Sequence, residues 1–443
     1  MPLHGDARGT VKENWQRAKM TALGLPDFGP VQHTVSSNAS AGVTRGFHAE
    51  PWDKLVSVAS GRVFGAWVDL REGSSFGTVV TAEIDPGVSV FVPRGVANSF
   101  QTLEPTVYSY LVNDHWSPEA TAEYTYLNLA DERVAIDWPI PLDRAIISDA
   151  DRAHPRLGDV VPMRPKATVV LGASGQLGRA LRDVFPGATF LTRDDVDLAD
   201  AGSVSSHTWR GVGTIINAAA YTAVDAAETP EGRAAAWATN VTGLAALAEV
   251  ARTHRARLVH VSSDYVFDGT RPAHTTDEPL SPLGVYGQTK AAGEAIVASV
   301  PGSLIVRTSW VVGDGANFVD TMASLAARGV SPSVVDDQVG RLTFASDLAR
   351  AIAHLLNVGA TGIVHVTNDG PPMSWFDIAR RVFELSGRSP DDVTPVSTAE
   401  YSSGRTMAPR PANSVLDLSS LVATGFVPPD ADAALVGHLR GAR

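Results

Sequence analysis

The chain has 443 residues, a formal net charge of −12 and no cysteine. This length exceeds what one hydrophobic core usually organises and 44% of the residues are apolar, so we expect two or three globular domains. The negative charge argues against a nucleic-acid-binding surface, and the lack of cysteine excludes disulfides, thiolate zinc sites and thiol catalysis. No segment is apolar and long enough to span a bilayer, and the N-terminal residues lack the apolar core of a signal peptide, so we expect a cytoplasmic protein.

Short alternating segments fill the chain up to about residue 145 and predict β-strands. Examples are "DKLVSVASGRVFGAWVDLRE" and "TVYSYLVNDHW", which are separated by Gly, Pro and Asp turns. Several short strands at this spacing are typical of a sandwich, a barrel or a jelly roll. A polar, Pro-rich stretch follows, so we predict a first domain over residues 1–158 and a linker over residues 159–166.

From Ala167 onward, apolar strands alternate with helical segments. The strand-like segments include "ATVVLGASGQLG", "TIINAAA" and "RLVHVSS", and the helical stretches include "RAAAWATNVTGLAALAEVART". This alternation predicts βαβ units, and hence a doubly wound parallel sheet of Rossmann type with helices on both faces, over residues 167–443.

Three glycines follow the first of these strands at the spacing GxxGxxG, namely Gly172, Gly175 and Gly178. Such a turn lets the backbone approach a pyrophosphate and presents the positive end of a helix to it. Its position directly after an apolar strand favours a dinucleotide site over a simple strand–helix connection. Arg193 follows the second predicted strand, where it could pair with a 2′-phosphate and so favour NADP(H) over NAD(H). The alternative is a solvated Arg at the end of a strand.

Three polar residues of this second half suggest a proton relay. Tyr286 and Lys290 lie one helical turn apart in "VYGQTKAAGE", so they share a face of the predicted helix, although this spacing also occurs by chance. Ser263 ends a predicted parallel strand, where ligands gather. A phenol could donate a proton to a ketone, an ammonium could lower the pKa of that phenol, and a hydroxyl could hydrogen-bond the developing alkoxide.

One histidine of the first half, His48, is a candidate base, although a lone His on a strand is more often structural. No His-x-His pair or carboxylate cluster accompanies it in the sequence. We therefore predict no metal site in this half.

Residues 166–430 resemble the dTDP-4-dehydrorhamnose reductase family of extended short-chain dehydrogenases. The resemblance runs through "GASGQLG", "INAAAYTAVDAAE", "SSDYVFDG", "YGQTKAAGE", "RTSWVVG", "VVDDQVGRLT", "SWFDIA" and "RPANSVLD". It implies that Ser263, Tyr286 and Lys290 are catalytic, that NADPH is the cofactor with NADH as an alternative, and that a small C-terminal part binds substrate. It implies substrate contacts from Asp264 and Trp310. It implies cofactor contacts from Gly172, Gly175, Gln176, Leu177, Gly178, Arg193, Asp197, Ala218 and Ala219.

Residues 6–155 resemble the dTDP-4-dehydrorhamnose 3,5-epimerase family, whose members are metal-free cupins. "AGVTRGFH", "KLVSVASGRVFGAWVDLREGSSFG", "VPRGVANSF" and "ISDAD" carry the resemblance. It implies a β jelly roll in which His48 is the base, Asp151 the carboxylate that orients it and Tyr110 the opposing acid. It also implies that Arg45 and Lys54 contact the anion and the sugar.

In this family the strand before "DARG" helps to build a homodimer. The present chain begins almost at that motif, so we expect that strand to be missing and keep a homodimer as one alternative.

Together, the two resemblances predict a bifunctional enzyme. The first half would epimerise dTDP-4-dehydro-6-deoxyglucose at C3 and C5, and the second half would reduce the C4 ketone with NADPH to dTDP-L-rhamnose. One alternative is synthesis of a related nucleotide-deoxysugar with only one centre epimerised. Another is a sugar-nucleotide-binding protein whose epimerase half has decayed.

Overall fold

The computed structural model describes residues 3–441 and every side chain in that range except that of Glu119. The chain divides into two compact units, one ending at Pro165 and the other beginning at Lys166. Each unit contains its own apolar clusters, and each is described by itself below.

The first unit consists mainly of antiparallel strands. Its strands are β1 (Leu3–Asp6), β2 (Gly9–Lys12), β3 (Gln32–Asn38), β4 (Thr44–Ala49), β5 (Lys54–Ser60), β6 (Val63–Asp69), β7 (Val79–Ile84), β8 (Ser89–Val92), β9 (Val96–Thr102), β10 (Thr106–Val112) and β11 (Thr125–Tyr126). Its α-helices are α1 (Arg17–Ala22) and α2 (Asp149–Arg152). One sheet has the strand order β3-β10-β5-β8, and a second has the order β11-β4-β9-β6-β7.

The inner faces of these two sheets share one apolar core. Val56 and Val58 of β5 belong to the same buried cluster as Trp67 of β6 and Phe100 of β9. Because β5 lies in the first sheet and β6 and β9 lie in the second, the sheets pack face to face through these side chains.

The predicted absence of a strand before "DARG" is wrong. Strand β1 pairs antiparallel with β2 in a hairpin whose register joins Leu3 to Lys12 and Asp6 to Gly9. The Asp6 carboxylate accepts the backbone N–H of Arg8 at 2.8 Å. An Asp side chain that bonds its own backbone two residues on is a turn-forming device, and it closes this hairpin.

The second unit alternates strands and helices. Its strands are β12 (Ala167–Leu171), β13 (Thr189–Leu191), β14 (Val212–Asn217), β15 (Arg257–Ser263), β16 (Leu304–Thr308), β17 (Val311–Val312), β18 (Ser333–Val335), β19 (Val339–Gly340), β20 (Thr343–Phe344), β21 (Gly362–His365), β22 (Met373–Ser374) and β23 (Thr394–Val396). Its α-helices are α3 (Gln176–Val184), α4 (Ala201–Ser206), α5 (Pro230–Trp237), α6 (Leu244–Thr253), α7 (Val285–Ala298), α8 (Phe318–Ala327), α9 (Ala345–Asn357), α10 (Trp375–Leu385), α11 (Thr398–Ser402), α12 (Ser419–Val422) and α13 (Ala431–Gly441).

Six strands of this unit form a parallel sheet in the order β13-β12-β14-β15-β16-β21. Successive residues of β12 face opposite layers of helices, as the period of two in a strand requires. Val169 and Leu171 pack with Leu247 of α6, whereas Val170 packs with Leu181 of α3. The predicted parallel sheet with helices on both faces is confirmed.

The strand order of this sheet reverses at β12, since β13 lies on one side of it and β14 on the other. In open parallel sheets, ligands bind at the carboxyl ends of the strands beside such a reversal. Beyond the sheet, the short pairs β17–β20, β18–β23 and β19–β22 accompany α8, α10 and α13, which share a further apolar cluster. Among the described residues, no helix combines the length and the apolar character needed to cross a membrane.

Candidate active sites

A cleft of about 780 Å³ opens at the carboxyl ends of the parallel strands of the second unit. We call it the large cleft. The turn between β12 and α3 forms one wall, and residues that follow β14, β15 and β16 form the others. Of the residues that the sequence predicts for this half, those that line it are Gly172, Gly175, Gln176, Leu177, Arg193, Asp197, Ala218, Ala219, Ser263, Asp264, Tyr286, Lys290 and Trp310.

Two glycines give the β12–α3 turn its close packing. Gly172 has a φ of +80°, and a Cβ at this position would lie 2.7 Å from the backbone nitrogen of Ala219. A Cβ at Gly178 would lie 2.1 Å from the Gly172 carbonyl oxygen, so this predicted cofactor residue acts by letting α3 pack on the turn. Gly175 is the N-cap of α3 and brings no side chain to that end. The first N–H groups of α3 are therefore available to an anion, and the turn fits a pyrophosphate.

The far wall of the large cleft carries the groups predicted to meet an adenosine moiety. Arg193 is exposed at this wall. The Asp197 carboxylate accepts the backbone N–H of Ala199 at 2.9 Å. Arg179, in the first turns of α3, also lines the cleft and forms an ion pair with Asp314 at 2.9 Å. Arg179 was not predicted from the sequence, although its place three residues after Gln176 puts it near the start of the predicted helix.

Tyr286 and Ser263 meet where α7 begins beside the end of β15. The Ser263 hydroxyl donates to Asp264 Oδ1 at 2.9 Å, and both residues lie close enough to Tyr286 to act on its pKa. Burial, together with the nearby Asp264 carboxylate, raises the pKa of Tyr286, and the interaction with the Ser263 hydroxyl offsets only part of this rise. A phenol in this setting keeps its proton at neutral pH and can serve as a proton donor.

Asp264 lies in the turn that follows Ser263 and is buried, with 2% of its surface exposed. Burial raises the pKa of this carboxyl group to about 6, against the hydrogen bonds from Ser414 and Ser263 that lower it. A carboxyl group with such a pKa changes charge close to neutral pH.

Lys290 lies one turn after Tyr286 on α7 and is fully buried. Its Nζ donates to the carbonyl of Val261 at 2.7 Å and lies 3.1 Å from Nε2 of His260. Burial lowers the pKa of Lys290 to about 8, and the charge of Glu294 opposes this shift. His260 was not predicted from the sequence, because the pattern of "RLVHVSS" does not show that its ring faces Lys290.

Two indole rings form the remaining wall of the large cleft. The rings of Trp310 and Trp375 stack with centroids 3.7 Å apart. Trp310 has a φ of +43°, a left-handed conformation that a bulky residue rarely adopts. A Cβ at Gly340 would lie 2.8 Å from the Trp310 ring, so this glycine makes room for the indole. Trp310 was predicted from the family resemblance, whereas its stacking partner Trp375 was not predicted.

In the first unit, His48 and Asp151 form a hydrogen-bonded pair. His48 Nε2 lies 2.9 Å from Asp151 Oδ1, and the Gly46 N–H donates to Oδ2 at 3.4 Å. Burial alone would raise the pKa of Asp151, but the bonds from His48 and Gly46 outweigh it and lower the pKa. The Ser148 hydroxyl accepts the N–H of Asp151 at 3.1 Å and thereby fixes the start of α2. A carboxylate held in this way can orient an imidazole and stabilise its charged form.

His154 adds a third group to this pair, and the sequence analysis missed it. Its ring lies 5.5 Å from that of His48, and its Nε2 lies 4.0 Å from Asp151 Oδ1. Ligand atoms of His48, Asp151 and His154 all lie within 4.8 Å of one another. The sequence predicted no metal site because it showed no His-x-His pair, yet the fold assembles three groups of the kind that metals bind.

Tyr110 lines a separate pocket of about 340 Å³, which we call the small pocket. Its other lining residues are Gln32, Thr34, Glu50, Trp52, Val112, Trp116 and Tyr124. Burial, reinforced by the charge of Glu50, raises the pKa of Tyr110. Two rings lead from the small pocket to His48, since Tyr124 lies 5.8 Å from Tyr126, and Tyr126 lies 5.6 Å from the His48 ring.

The two predicted cations of this half differ in their surroundings. Lys54 is buried and already paired with Glu50 at 2.6 Å, and its Nζ lies 4.6 Å from the Tyr110 ring centroid. Arg45 is exposed, and its Nε donates to Asn38 Oδ1 at 3.4 Å. Glu50 neutralises Lys54 and also acts on the tyrosines of the small pocket, and it was not predicted from the sequence.

The chain matches known proteins over both units. The family model described as dTDP-4-dehydrorhamnose 3,5-epimerase matches residues 1–159, and that described as RmlD substrate binding domain matches residues 166–440. The RmlC homolog protein of Streptococcus pyogenes is 50% identical over 172 residues, which cover 38% of this chain and 86% of that protein.

Two further relatives match the second unit. The dTDP-4-dehydrorhamnose reductase of Mycobacterium tuberculosis is 40% identical over 283 residues, which cover 60% of this chain and 89% of that protein. The crystal structure of a Bacillus anthracis dTDP-4-dehydrorhamnose reductase in complex with NADP is 32% identical, with a TM-score of 0.58. The match covers 63% of this chain and 100% of the Bacillus anthracis chain.

A glycine-rich turn at the reversal of a parallel sheet is how dinucleotide-dependent oxidoreductases hold their cofactor, and the second unit is of this class. The chain belongs to the dTDP-4-dehydrorhamnose 3,5-epimerase family over its first unit and to the RmlD substrate binding domain family over its second.

Proposed function

We propose that this chain is a bifunctional enzyme of dTDP-L-rhamnose synthesis. Its first unit epimerises dTDP-4-dehydro-6-deoxyglucose at C3 and C5, and its second unit reduces the C4 ketone of the product. The observation that carries the proposal is the presence of both families on one chain, each with its own proton-transfer groups. These are His48 with Asp151 in the first unit, and Ser263 with Tyr286 in the second.

The cofactor of the reductase unit is NADPH, which supplies the hydride when bound. The NADP complex of the Bacillus anthracis relative supports this choice. The Gly172–Gly175 turn and the N-terminus of α3 would hold the pyrophosphate, and Arg193 the 2′-phosphate. Gln176, Leu177, Asp197, Ala218 and Ala219 line the rest of the cofactor site, with Gly178 beneath the turn.

Proton transfer in the reductase unit belongs to Tyr286. Its phenolic proton goes to the C4 oxygen of the sugar as that oxygen gains negative charge. The Ser263 hydroxyl stabilises the developing alkoxide, and a positive charge on Lys290 stabilises the phenolate that Tyr286 becomes. Asp264 and Trp310, which both line the large cleft, contact the sugar nucleotide.

In the epimerase unit, His48 removes the protons at C3 and C5, which are acidic because they lie next to the C4 ketone. Since Nε2 of His48 faces Asp151, Nδ1 is the atom that takes the proton. Asp151 stabilises the resulting imidazolium, and Tyr110 returns a proton from the opposite face. Arg45 contacts the diphosphate, and Lys54 acts next to Tyr110 within its ion pair with Glu50.

The finer architecture and assembly belong to the same proposal. We assign the paired antiparallel sheets to a β jelly roll of the cupin type over residues 1–158. Residues 159–166 are the linker, and residues 167–443 form the reductase domain. The short strand pairs with α8, α10 and α13 are its small substrate-binding part. A homodimer and a cytoplasmic location complete the proposal.

The deciding experiment incubates the full chain with dTDP-4-dehydro-6-deoxyglucose and NADPH in D₂O, with NMR of the product. The proposal expects dTDP-L-rhamnose that carries deuterium at both C3 and C5. A product with deuterium at only one of these carbons would favour the related deoxysugar instead. Binding of the nucleotide sugar without turnover would identify a binding protein.

A further inference from the structure

Three buried polar side chains next to the large cleft form a hydrogen-bonded row. Lys290 Nζ lies 3.1 Å from Nε2 of His260, and Nδ1 of His260 lies 3.1 Å from Nδ2 of Asn217. Each of the three side chains is 1% exposed. Because water does not reach them, the hydrogens in this row must be shared among the protein groups themselves.

The Asn217 end of this row determines where each hydrogen of the row lies. The backbone N–H of Ala219 donates to Oδ1 of Asn217 at 3.0 Å, which fixes the orientation of the amide. The amide nitrogen that faces His260 has donor hydrogens only, so Nδ1 of the ring must accept. A neutral imidazole whose Nδ1 accepts carries its hydrogen on Nε2. Burial holds the pKa of His260 well below its usual range, so the ring has no second proton.

The Nε2–H of His260 therefore points at Lys290. An ammonium group has three donors and no lone pair, so it cannot accept this hydrogen, whereas a neutral amine can. We propose that His260 is a positioning residue that holds Lys290 as a neutral amine in the cofactor-free reductase. The inference rests on the proposed reductase function and deepens it, because an uncharged Lys290 cannot yet stabilise a phenolate on Tyr286.

The charged groups around Lys290 are consistent with this arrangement. Burial lowers the pKa of Lys290 to about 8, against the charge of Glu294 one turn along α7. The Nε2–H of His260 lowers the pKa further, because the bond that it makes to the amine is lost when the amine takes a proton. The Glu294 carboxylate is in turn paired with Arg307 of β16 at 2.7 Å. Asn240 lies in the π-helical turn that packs on α7 and carries no charge. The Asp264 carboxylate raises the pKa of Tyr286.

Charging Lys290 is coupled to the wall of the large cleft. If His260 moved its hydrogen to Nδ1 so that Nε2 could accept from an ammonium, Nδ1–H would face the NH₂ group of Asn217. The amide would then have to turn over and give up the N–H of Ala219, a residue that lines the large cleft. A ligand that rearranges Ala219 would thus change the proton affinity of Lys290.

The test is NMR of the full chain without cofactor, with ¹⁵N-labelled lysine and histidine side chains. The sequence has only five lysines, so the Nζ signals can be assigned by substitution. We expect His260 as the Nε2–H tautomer, bonded to the amine of Lys290. In Asn217→Leu, which removes the amide without adding charge, the hydrogen should move to Nδ1. The pKa of Lys290 should then rise by about one unit, a tenfold gain in proton affinity.

His354→Asn is the matched control, because the His354 ring bonds to Thr424 and makes none of the hydrogen bonds of this row. The His260 and Lys290 signals should keep their wild-type values in this variant. A wild-type His260 with its hydrogen on Nδ1 would overturn the inference, and this NMR measurement needs no variant. An unchanged Lys290 pKa in a folded Asn217→Leu would overturn it as well. NADPH oxidation is assayed separately. If the enzyme oxidises NADPH but His260 carries its hydrogen on Nδ1, only this inference is rejected. The right tautomer without activity rejects the proposed function.

Discussion

The Ser263 hydroxyl donates its single hydrogen to the Asp264 carboxylate over 2.9 Å. Its oxygen can therefore only accept from other groups, and it accepts the backbone N–H of Tyr265 at 3.2 Å. A ketone oxygen placed beside the Ser263 and Tyr286 hydroxyls would receive the phenolic proton of Tyr286. Ser263 would stabilise that oxygen by turning its own hydrogen away from Asp264.

The first prediction concerns this relay. Tyr286→Phe should lower the rate of NADPH oxidation by about 10²- to 10⁴-fold, because only the proton donor is lost. The dissociation constant of NADPH should change little. Ser263→Ala should also lose activity, whereas Ser263→Thr should keep most of it, because threonine retains the hydroxyl. Turnover of Tyr286→Phe close to wild type would remove Tyr286 from the mechanism.

The second prediction is a pH-dependent gain of stability in Asp264→Asn. The folded-state pKa of about 6 lies above the ordinary value of 3.8. The contribution of Asp264 to the free energy of unfolding is therefore present below pH 3.8 and is lost as the pH rises through 6. Above that pH, the ionised form costs about 3 kcal/mol. The variant should therefore unfold at a higher temperature than wild type at pH 8, with little of this gain at pH 4.

The exposed Asp183 of α3 provides the control for this measurement. Asp183→Asn should show the same unfolding temperature relative to wild type at both pH values. An Asp264→Asn gain that is equal at pH 4 and pH 8 would show that the pKa of Asp264 is not raised by folding.

The third prediction concerns the cofactor. If Arg193 pairs with the 2′-phosphate, Arg193→Ala should raise the KM for NADPH by about tenfold, the size of a lost charge-assisted hydrogen bond. The KM for NADH should stay nearly unchanged. Arg182→Ala is the matched control, since Arg182 packs over Phe190 at 4.3 Å and does not line the large cleft. Equal effects of Arg193→Ala on both cofactors would show that Arg193 does not recognise the phosphate.

The fourth prediction separates the two units. His48→Ala should abolish deuterium exchange from D₂O into C3 and C5 of the keto sugar, because the base is lost. The same variant should still reduce dTDP-4-dehydro-L-rhamnose supplied by a separate epimerase. His33→Ala, an exposed histidine on β3, should exchange deuterium normally. Tyr286→Phe should show the reverse pattern, with exchange retained and NADPH consumption lost. A folded His48→Ala that fails to reduce the pre-epimerised sugar would show that the units do not act independently.

Local sequence patterns were sufficient to predict part of the large cleft. Gly172, Ser263 and Tyr286 are far apart in sequence, yet each follows or faces the carboxyl end of a parallel strand. Because those ends meet at one edge of a sheet, strand prediction alone brings the residues together. The parallel sheet could also be predicted, because apolar strand segments and helical segments alternate along the sequence from Ala167 onward. The catalytic roles of these residues stay predictions.

Residues whose partners depend on side-chain direction or on a tight turn were missed. Glu50 reaches Lys54 because a short turn joins β4 to β5, and strand periodicity does not describe such a turn. His154 meets His48 only because the segment around α2 folds back on β4. Likewise, the acceptor role of Nδ1 in His260 follows from the orientation of a single amide, which no sequence pattern specifies.

The two units are consecutive parts of one polypeptide, with the division between Pro165 and Lys166. They are therefore always synthesised in equal numbers. A cell that makes the two activities as separate proteins can adjust their ratio through expression, but here that ratio is fixed at one to one. Any imbalance between formation and removal of the reactive keto intermediate must be corrected through the turnover numbers of the two sites. Selection on one active site in this chain is thus constrained by the speed of the other.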